Sequence, residues 1–171
     1  MGLICVLTGD GKGKTSAAFG MALRFIGHGK RVVVVQFMKG RKTGEVLAKK
    51  YLPGLDILQF GTEDFVNLNN PSKEDKQRAI EALFYAKKII KGPYRPDLLI
   101  LDEINVAMAY GLIEESDVLE LLENIPEELT IVLTGRGASE KIIERADLVT
   151  EMKEIKHPME KGEEAKEGME Y

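Results

Sequence analysis

Apolar and polar residues follow one another along the chain in blocks that are typical of an α/β protein. Short apolar runs, rich in β-branched residues, predict strands that are buried on both faces, as in a parallel sheet. These strands are predicted over residues 3–8, 31–37, 55–60, 97–101, 129–133 and 147–151. Apolar residues at helical spacing predict helices over residues 14–27, 44–51, 73–91, 115–123 and 139–145, with a loop or helix over 102–110. The alternation predicts right-handed crossovers in a mostly parallel central sheet that is covered by helices.

Composition narrows the class of protein. With 171 residues, 44% of them hydrophobic and 30% charged, the chain resembles an ordinary globular domain. Its net charge of −4 gives no sign of a nucleic-acid partner, and no apolar run is long enough to span a membrane. Cys5 is the only cysteine, and the first strand begins too early to leave room for a signal peptide. We therefore expect a cytoplasmic, reducing environment.

The most distinctive motif lies between the first predicted strand and the first predicted helix, where residues 8–16 read TGDGKGKTS. Its spacing approaches the P-loop consensus G-x-x-x-x-G-K-[ST], with Thr8 in place of the first glycine. Backbone N–H groups of such a loop surround an anion, and the following helix adds the positive end of its dipole. Lys14 would reach the outer phosphates and the Thr15 hydroxyl would ligate Mg²⁺. The motif predicts that a ligand with phosphates binds here.

Polar or glycine-rich groups also follow three other predicted strands. Lys39 follows the second strand, Asp102 and Glu103 end the fourth, and Arg136 stands between two glycines after the fifth. Because the carboxyl ends of parallel strands meet at one edge, we expect these groups near the P-loop. Acids at this position can hold Mg²⁺ directly or through water, although Asp102 could instead cap the next helix. Arg136 suits a phosphate or carboxylate clamp, although an exposed loop arginine would look the same.

The sequence offers few candidates for a protein nucleophile. Cys5 lies inside a predicted strand, and neither His28 nor His157 lies at the end of a predicted strand on this edge. An enzyme of this type would position its substrates and stabilise charge, and a substrate would bring the nucleophile. The paired acids also suit a RecA-like ATPase in which Glu103 activates water, so that alternative stays open.

Taken together, the motifs resemble the P-loop type of ATP:corrinoid adenosyltransferase, also called cob(I)alamin adenosyltransferase. The matching stretches are TGDGKGKTSAAFG at 8–20, GHGKRVVVVQFMKG at 27–40, LDEINVAMAYGLI at 101–113, TGRG at 134–137 and ADLVTEMKEIKH at 146–157. The closing pattern of Gly162, Ala165, Gly168, Glu170 and Tyr171 also matches. Thr8 is itself this family's form of the P-loop. The resemblance implies a P-loop NTPase (RecA-like) three-layer fold.

The resemblance further implies that ATP donates its 5′-deoxyadenosyl group to the cobalt of reduced cob(I)alamin, in adenosylcobalamin synthesis or salvage. Triphosphate would leave, with ATP as co-substrate and Mg²⁺ or Mn²⁺ as the metal. By position, the residues that bind ATP would be Thr8, Gly9, Asp10, Gly11, Lys12, Gly13, Lys14, Thr15, Ser16 and Arg136. Thr15 and Glu103 would hold the metal with support from Asp102, and the catalytic residues would be Lys14, Thr15 and Glu103.

On the corrinoid side, the resemblance implies contacts with Phe65, Lys39 and His157. Some members place a Phe and a Trp in the loop after the third strand to displace the lower ligand of the corrinoid, and this chain has no tryptophan. Residues 1–152 would form the nucleotide-binding domain. The charged tail, residues 153–171, has the composition of a disordered extension, whereas the resemblance implies a lid over the corrinoid.

The resemblance also implies partners. Members of the family are commonly homodimers, and a reductase or reduced flavoprotein would supply electrons to the corrinoid. A non-catalytic module that binds a nucleotide or a corrinoid is the remaining alternative.

Overall fold

The computed structural model describes residues 2–157 and 165–169, and its centre is a parallel β-sheet. The strands are β1 (Leu3–Thr8), β2 (Val32–Phe37), β3 (Leu55–Phe60), β4 (Leu98–Asp102), β5 (Thr130–Thr134) and β6 (Leu148–Glu151). They lie in the order β3-β2-β4-β5-β1-β6, and each pair of neighbours is parallel. The predicted mostly parallel sheet is confirmed, with strand ends within one residue of the predicted ones.

Helices connect the strands in the predicted alternation. They are α1 (Lys14–Gly27), α2 (Gly44–Ala48), α3 (Lys73–Lys91), α4 (Ile104–Ala109), α5 (Glu115–Glu123) and α6 (Glu140–Arg145), with a 3₁₀ turn over Lys49–Tyr51. The helix predicted over residues 44–51 is therefore divided between α2 and this turn. The longest helix, α3, begins with a capping box in which Ser72 accepts the N–H of Asp75 and Asp75 accepts the N–H of Ser72.

Two apolar layers lie on opposite faces of the sheet, because successive strand residues point to opposite sides. In β2, Val33 and Val35 pack into the layer formed with α3, α4, α5 and α6, whereas Val32 and Val34 pack into the layer formed with α1. Burying such a side chain contributes about 1.5–3 kcal/mol. The sheet is thus buried on both faces, as the continuous apolar strands predicted, and has the three layers that the resemblance implied. None of the helices in the described part of the chain is long and apolar enough to cross a membrane.

The strand order determines where a ligand can bind. The chain leaves β1 through α1 and returns as β2, which lies on the other side of β4 and β5. In open parallel sheets, ligands bind at the carboxyl ends of the strands, near the topological switch point where successive connections run to opposite sides. The loops after β1, β2, β4 and β5 therefore meet at one edge, where the sequence places its polar groups.

Candidate active site

The P-loop joins the buried end of β1 to the first turn of α1. Gly9 and Gly13 have φ angles of 96° and 103°, in a region that residues with a Cβ rarely adopt. Gly13 is the N-cap of α1, and no side chain caps this helix end. The backbone thus turns sharply twice and presents the N-terminus of a 14-residue helix to a ligand.

Lys14 is folded over the P-loop. Its Nζ atom donates hydrogen bonds to the carbonyl oxygens of Gly9, at 2.8 Å, and Gly11, at 2.6 Å. Burial lowers the pKa of Lys14, and the nearby charge of Arg136 lowers it further. The ammonium group is held inside the loop, where it can stabilise an anion that the loop surrounds.

Asp102 is completely buried at the end of β4 and accepts four hydrogen bonds. Its Oδ1 atom accepts the hydroxyls of Thr15, at 2.8 Å, and Thr134, at 2.7 Å. Its Oδ2 atom accepts the amide of Gln36, at 3.1 Å, and the ammonium of Lys39, at 2.7 Å. Burial alone would raise the pKa of Asp102, but the charge of Lys39 and the hydrogen bonds hold it below the ordinary value.

The structure rules out one of the two interpretations of Asp102, that of a helix cap. The N-cap residue of α4 is Glu103, so the Asp102 side chain does not cap that helix. It instead faces the P-loop and fixes the Thr15 hydroxyl. Because that hydroxyl donates a hydrogen bond to Asp102, its lone pairs point away from Asp102, as a metal-ligating oxygen requires.

Glu103 lies beside Asp102 in an unusual backbone conformation. Its φ angle is 66°, which for a residue with a side chain stores about 1–3 kcal/mol of strain. Its N–H donates to the Thr134 hydroxyl at 3.0 Å, and its Oε1 atom lies 3.9 Å from Lys39 Nζ. Burial raises the pKa of Glu103, which the positive charge of Lys39 partly opposes. The strained turn keeps this carboxylate at the same edge as the P-loop.

Metal ligation can be tested against these oxygens. The part of the chain that the structure describes has no group of three or more His, Cys, Asp or Glu side chains that could hold a metal ion alone. Mg²⁺ usually needs no such cage, because it binds one or two carboxylates together with substrate phosphates and water. The hydroxyl of Thr15 and the carboxylate of Glu103, with Asp102 behind them, are oxygen donors of the kind that Mg²⁺ and Mn²⁺ prefer.

Arg136 is exposed in the loop after β5. Its charge influences the pKa values of Lys14 and Glu103, so it lies at the same edge of the sheet. The loop is anchored by Asn105, whose Nδ2 atom donates to the Gly135 carbonyl at 3.1 Å. Thr8 anchors it from the other side, because its hydroxyl accepts the N–H of Ala138 at 3.2 Å. Thr8, predicted among the ATP-binding residues, uses its side chain to fasten this loop.

Met152, the last residue of the predicted nucleotide-binding domain, packs against the P-loop. The carbonyl of Met152 accepts the N–H of Gly11 at 2.7 Å, and its N–H donates to the Thr8 carbonyl at 2.8 Å. A Cβ on Gly9 would clash with the Met152 carbonyl, and one on Gly11 would lie 2.8 Å from it. The backbone at Met152 therefore fixes the shape of the loop.

The three residues predicted to contact the corrinoid lie in different surroundings. Lys39 pairs with the carboxylates of Asp102 and Glu103. The Phe65 ring is 84% exposed, with the Arg41 guanidinium 3.8 Å from its centre. His157 lines an open cavity of about 350 Å³ together with Gly11, Lys12 and residues 153–156. Gly162, Glu170 and Tyr171 of the closing pattern lie outside the described residues.

The sequence did not predict the roles of several side chains in the site. Thr134 and Asn105 bridge neighbouring loops, and Gln36 and Gln59 extend the hydrogen bonds of Asp102 across the sheet. Gln36 had a visible signal, since it is the polar residue in the apolar run VVVVQF. A buried polar side chain in such a strand must find a hydrogen-bond partner, and here that partner is Asp102.

Comparisons with known proteins give a consistent picture. A model of the family described as ATP:corrinoid adenosyltransferase BtuR/CobO/CobP matches residues 1–171. A corrinoid adenosyltransferase of a Sinorhizobium species is 45% identical over 175 residues, which cover 99% of this chain and 80% of the relative. The corrinoid adenosyltransferase of Escherichia coli K12 is 35% identical over 172 residues, covering 99% and 86%.

Solved structures support the fold. A KaiC-like protein of Pyrococcus horikoshii OT3 has a TM-score of 0.53 at 17% identity, covering 88% of this chain and 72% of that protein. The RadB recombinase also has a TM-score of 0.53, at 12% identity, covering 91% and 76%. At such low identity these likenesses concern the fold alone, and they confirm the predicted RecA-like P-loop arrangement.

Proposed function

The chain belongs to the ATP:corrinoid adenosyltransferase family, and from this premise we propose that its P-loop holds the triphosphate of ATP as a leaving group. The protein is a transferase that moves the adenosyl group of ATP to a corrinoid. The observation that carries the assignment of the site is the meeting of the P-loop, Asp102, Glu103 and Arg136 at one edge of the sheet.

The reaction is a nucleophilic substitution at the 5′ carbon of the ribose. The electron pair of the reduced cobalt forms the cobalt–carbon bond, and the pair of the breaking carbon–oxygen bond leaves with the triphosphate. The corrinoid brings the nucleophile, so the protein needs none. This agrees with the position of the only cysteine of the chain, which is buried within β1.

The residues of the P-loop stabilise the charge that develops on the triphosphate. The ammonium of Lys14, the N-terminus of α1 and the guanidinium of Arg136 provide positive charge around that group. Such groups accelerate the reaction when they are already in place, because they need not reorganise as the bond breaks. The backbone contacts of Met152 with Thr8 and Gly11 keep the loop in this shape before ATP arrives.

Thr15 and Glu103 would hold the metal, Mg²⁺ or Mn²⁺, and Asp102 would orient Thr15. A bound metal would add positive charge at the phosphates and fix their orientation. The positive charge of Lys39 balances that of the buried Asp102, so that this carboxylate stays ionised and keeps accepting the hydrogen bond from Thr15. Burial raises the pKa of Glu103, and a bound cation would give this carboxylate a partner of opposite charge.

On the other side of the ribose, the corrinoid would lie between the loop that carries Phe65 and residues 153–157. The exposed Phe65 ring supports this arrangement, because an aromatic ring can pack against the face of a corrin ring. Residues 153–171 would act as a lid over the corrinoid, and a reductase or reduced flavoprotein would supply electrons. We further propose a homodimer that works in the cytoplasm.

Phosphorus NMR of the products tests the function directly. Protein, ATP, Mg²⁺ and chemically reduced cobalamin are expected to give triphosphate and an adenosyl–cobalt bond. A RecA-like ATPase with Glu103 as base would instead give ADP and orthophosphate, and a binding module would give no product. Folded protein that binds ATP and reduced cobalamin but forms no triphosphate would refute the proposal.

A further inference from the structure

A row of two side-chain amides and one carboxylate crosses three strands at the edge that carries the site. Gln59 of β3, Gln36 of β2 and Asp102 of β4 occupy neighbouring positions in the strand register. The Gln59 amide donates to Gln36 Oε1 at 2.9 Å, and the Gln36 amide donates to Asp102 Oδ2 at 3.1 Å. Asp102 Oδ1 in turn accepts the Thr15 hydroxyl of the P-loop.

The hydrogen bonds of the row all point the same way, with each donor facing toward Asp102. An ionised carboxylate only accepts hydrogen bonds, so Asp102 forces the amide nitrogen of Gln36 to face it. The oxygen of Gln36 must then face Gln59, which in turn must present its own nitrogen. The charge of Asp102 therefore dictates the orientation of both amides. Gln36 is 1% exposed and Asp102 is fully buried, so water cannot replace a contact that is lost between them.

At its far end the row reaches the loops on the corrinoid side. Gln59 Nε2 also donates to the carbonyl of Arg41 at 2.9 Å. The Arg41 side chain donates to the carbonyl of Glu63 and stacks over the ring of Phe65. Gly40 and Gly61 bring these two loops into close contact, since a Cβ on Gly40 would lie 2.7 Å from the Gly61 carbonyl.

From these contacts we propose that Gln36 and Gln59 are positioning residues that couple the occupancy of the P-loop to the placement of Arg41 and Phe65. The coupling rests on the proposed function in taking the P-loop as the ATP site and Phe65 as a corrinoid contact. When the P-loop fills, the new charge beside Thr15 shifts Asp102, and the buried amides pass that shift to Gln59. The loop that carries Phe65 then takes the arrangement that binds the corrinoid only while ATP is bound.

The absence of tryptophan from the chain makes this testable without any corrinoid. Phe65→Trp introduces one indole at the end of the row, and its emission reports the placement of the loop. Mg²⁺–ATP is expected to change this emission in the Phe65→Trp protein. Calorimetry on the same sample gives the affinity for Mg²⁺–ATP independently of the indole.

Adding Gln59→Met removes both donors of Gln59 at nearly unchanged volume and leaves every contact of Thr15 and Asp102 in place. We expect the emission change to be lost and the dissociation constant of Mg²⁺–ATP to stay within about twofold, since Gln59 does not touch the P-loop. Gln77→Met is the matched control, because that amide lies on the exposed face of α3 and bonds to Glu81. It should leave the emission change intact.

Gln59→Glu serves as a second variant of similar shape that accepts but cannot donate, in case Gln59→Met folds poorly. The coupling is overturned if Mg²⁺–ATP changes the emission equally in the proteins with and without the Gln59 amide. It is also overturned if the Phe65→Trp protein binds Mg²⁺–ATP but its emission does not change. Absence of any Mg²⁺–ATP binding would instead overturn the proposed function and the coupling together. In turnover, Gln59→Met is expected to raise KM for the corrinoid about 2- to 10-fold while KM for ATP changes little.

Discussion

Replacing Lys39 by methionine tests the electrostatics at the centre of the site. Lys39 Nζ lies 2.7 Å from Asp102 Oδ2, and the two side chains are 30% and 0% exposed. Removing one partner of a fully buried ion pair costs about 3–5 kcal/mol. Because Lys39 is partly solvated and three other donors keep their contacts with Asp102, we expect Lys39→Met to lower the free energy of unfolding by about 2–3 kcal/mol at pH 7.

The pH dependence of this loss identifies its cause. In the wild-type protein the pKa of Asp102 lies below its ordinary value, so its stabilisation is present above about pH 4 and is lost as the pH falls. Without Lys39, burial raises the pKa of Asp102, and the variant loses stability as the pH rises above about 4. The difference in unfolding free energy between the two proteins should therefore widen from about pH 4 to pH 7.

Urea unfolding at several pH values measures this difference, provided that both proteins unfold with the same m-value. Lys42→Met, an exposed lysine of the same loop, is the control and should change stability by less than about 0.5 kcal/mol. Adding Asp102→Asn to Lys39→Met should recover part of the loss and remove the part of its pH dependence that comes from Asp102. A loss of the same size at pH 4 and pH 7 would show that packing of the lysine stem, and not the ion pair, stabilises the site.

Three further changes test the loop and the tail. Lys14→Ala should abolish adenosyl transfer while leaving the unfolding curve nearly unchanged; activity at saturating ATP would place the phosphate site elsewhere. Gly9→Ala should destabilise the fold by about 1–3 kcal/mol, because its φ is 96° and a Cβ would clash with the Met152 carbonyl, whereas Gly20→Ala in open space on α1 should stabilise it by about 0.5–1 kcal/mol. Deleting residues 155–171 should weaken corrinoid binding, measured spectroscopically, more than ATP binding measured by calorimetry; equal losses would argue against a lid.

The sequence predicts the fold well because its strands are nearly uniform apolar runs. Val32–Phe37, for example, is buried along its whole length, so no competing pattern obscures it. The P-loop is equally predictable, because a phosphate cradle needs glycines and a lysine at fixed spacing. The helix predicted over residues 44–51 shows the weaker case, since a short segment without buried residues has little packing to hold one regular helix.

The details of the site are less visible in the sequence, because they depend on contacts between residues distant along the chain. The strained backbone of Glu103 and the backbone bonds of Met152 leave no trace in residue type. Gln36 stands out as a polar residue in a strand, but only the register of β2 with β4 reveals that it bonds to Asp102. Residue types predicted the members of the site, whereas strand register determined their partners.

The position of β1 in the sheet has a consequence for how the chain folds. β1 is the first strand of the described chain, yet its neighbours on either side are β5 and β6, which follow it by more than a hundred residues. Closing a loop of more than a hundred residues to form such a pair costs about 4 kcal/mol of chain entropy. On the ribosome, β1 therefore has no partner in the sheet until β5 has emerged. The nucleotide site is completed only after that, so ATP can stabilise the folded domain but cannot guide its early folding.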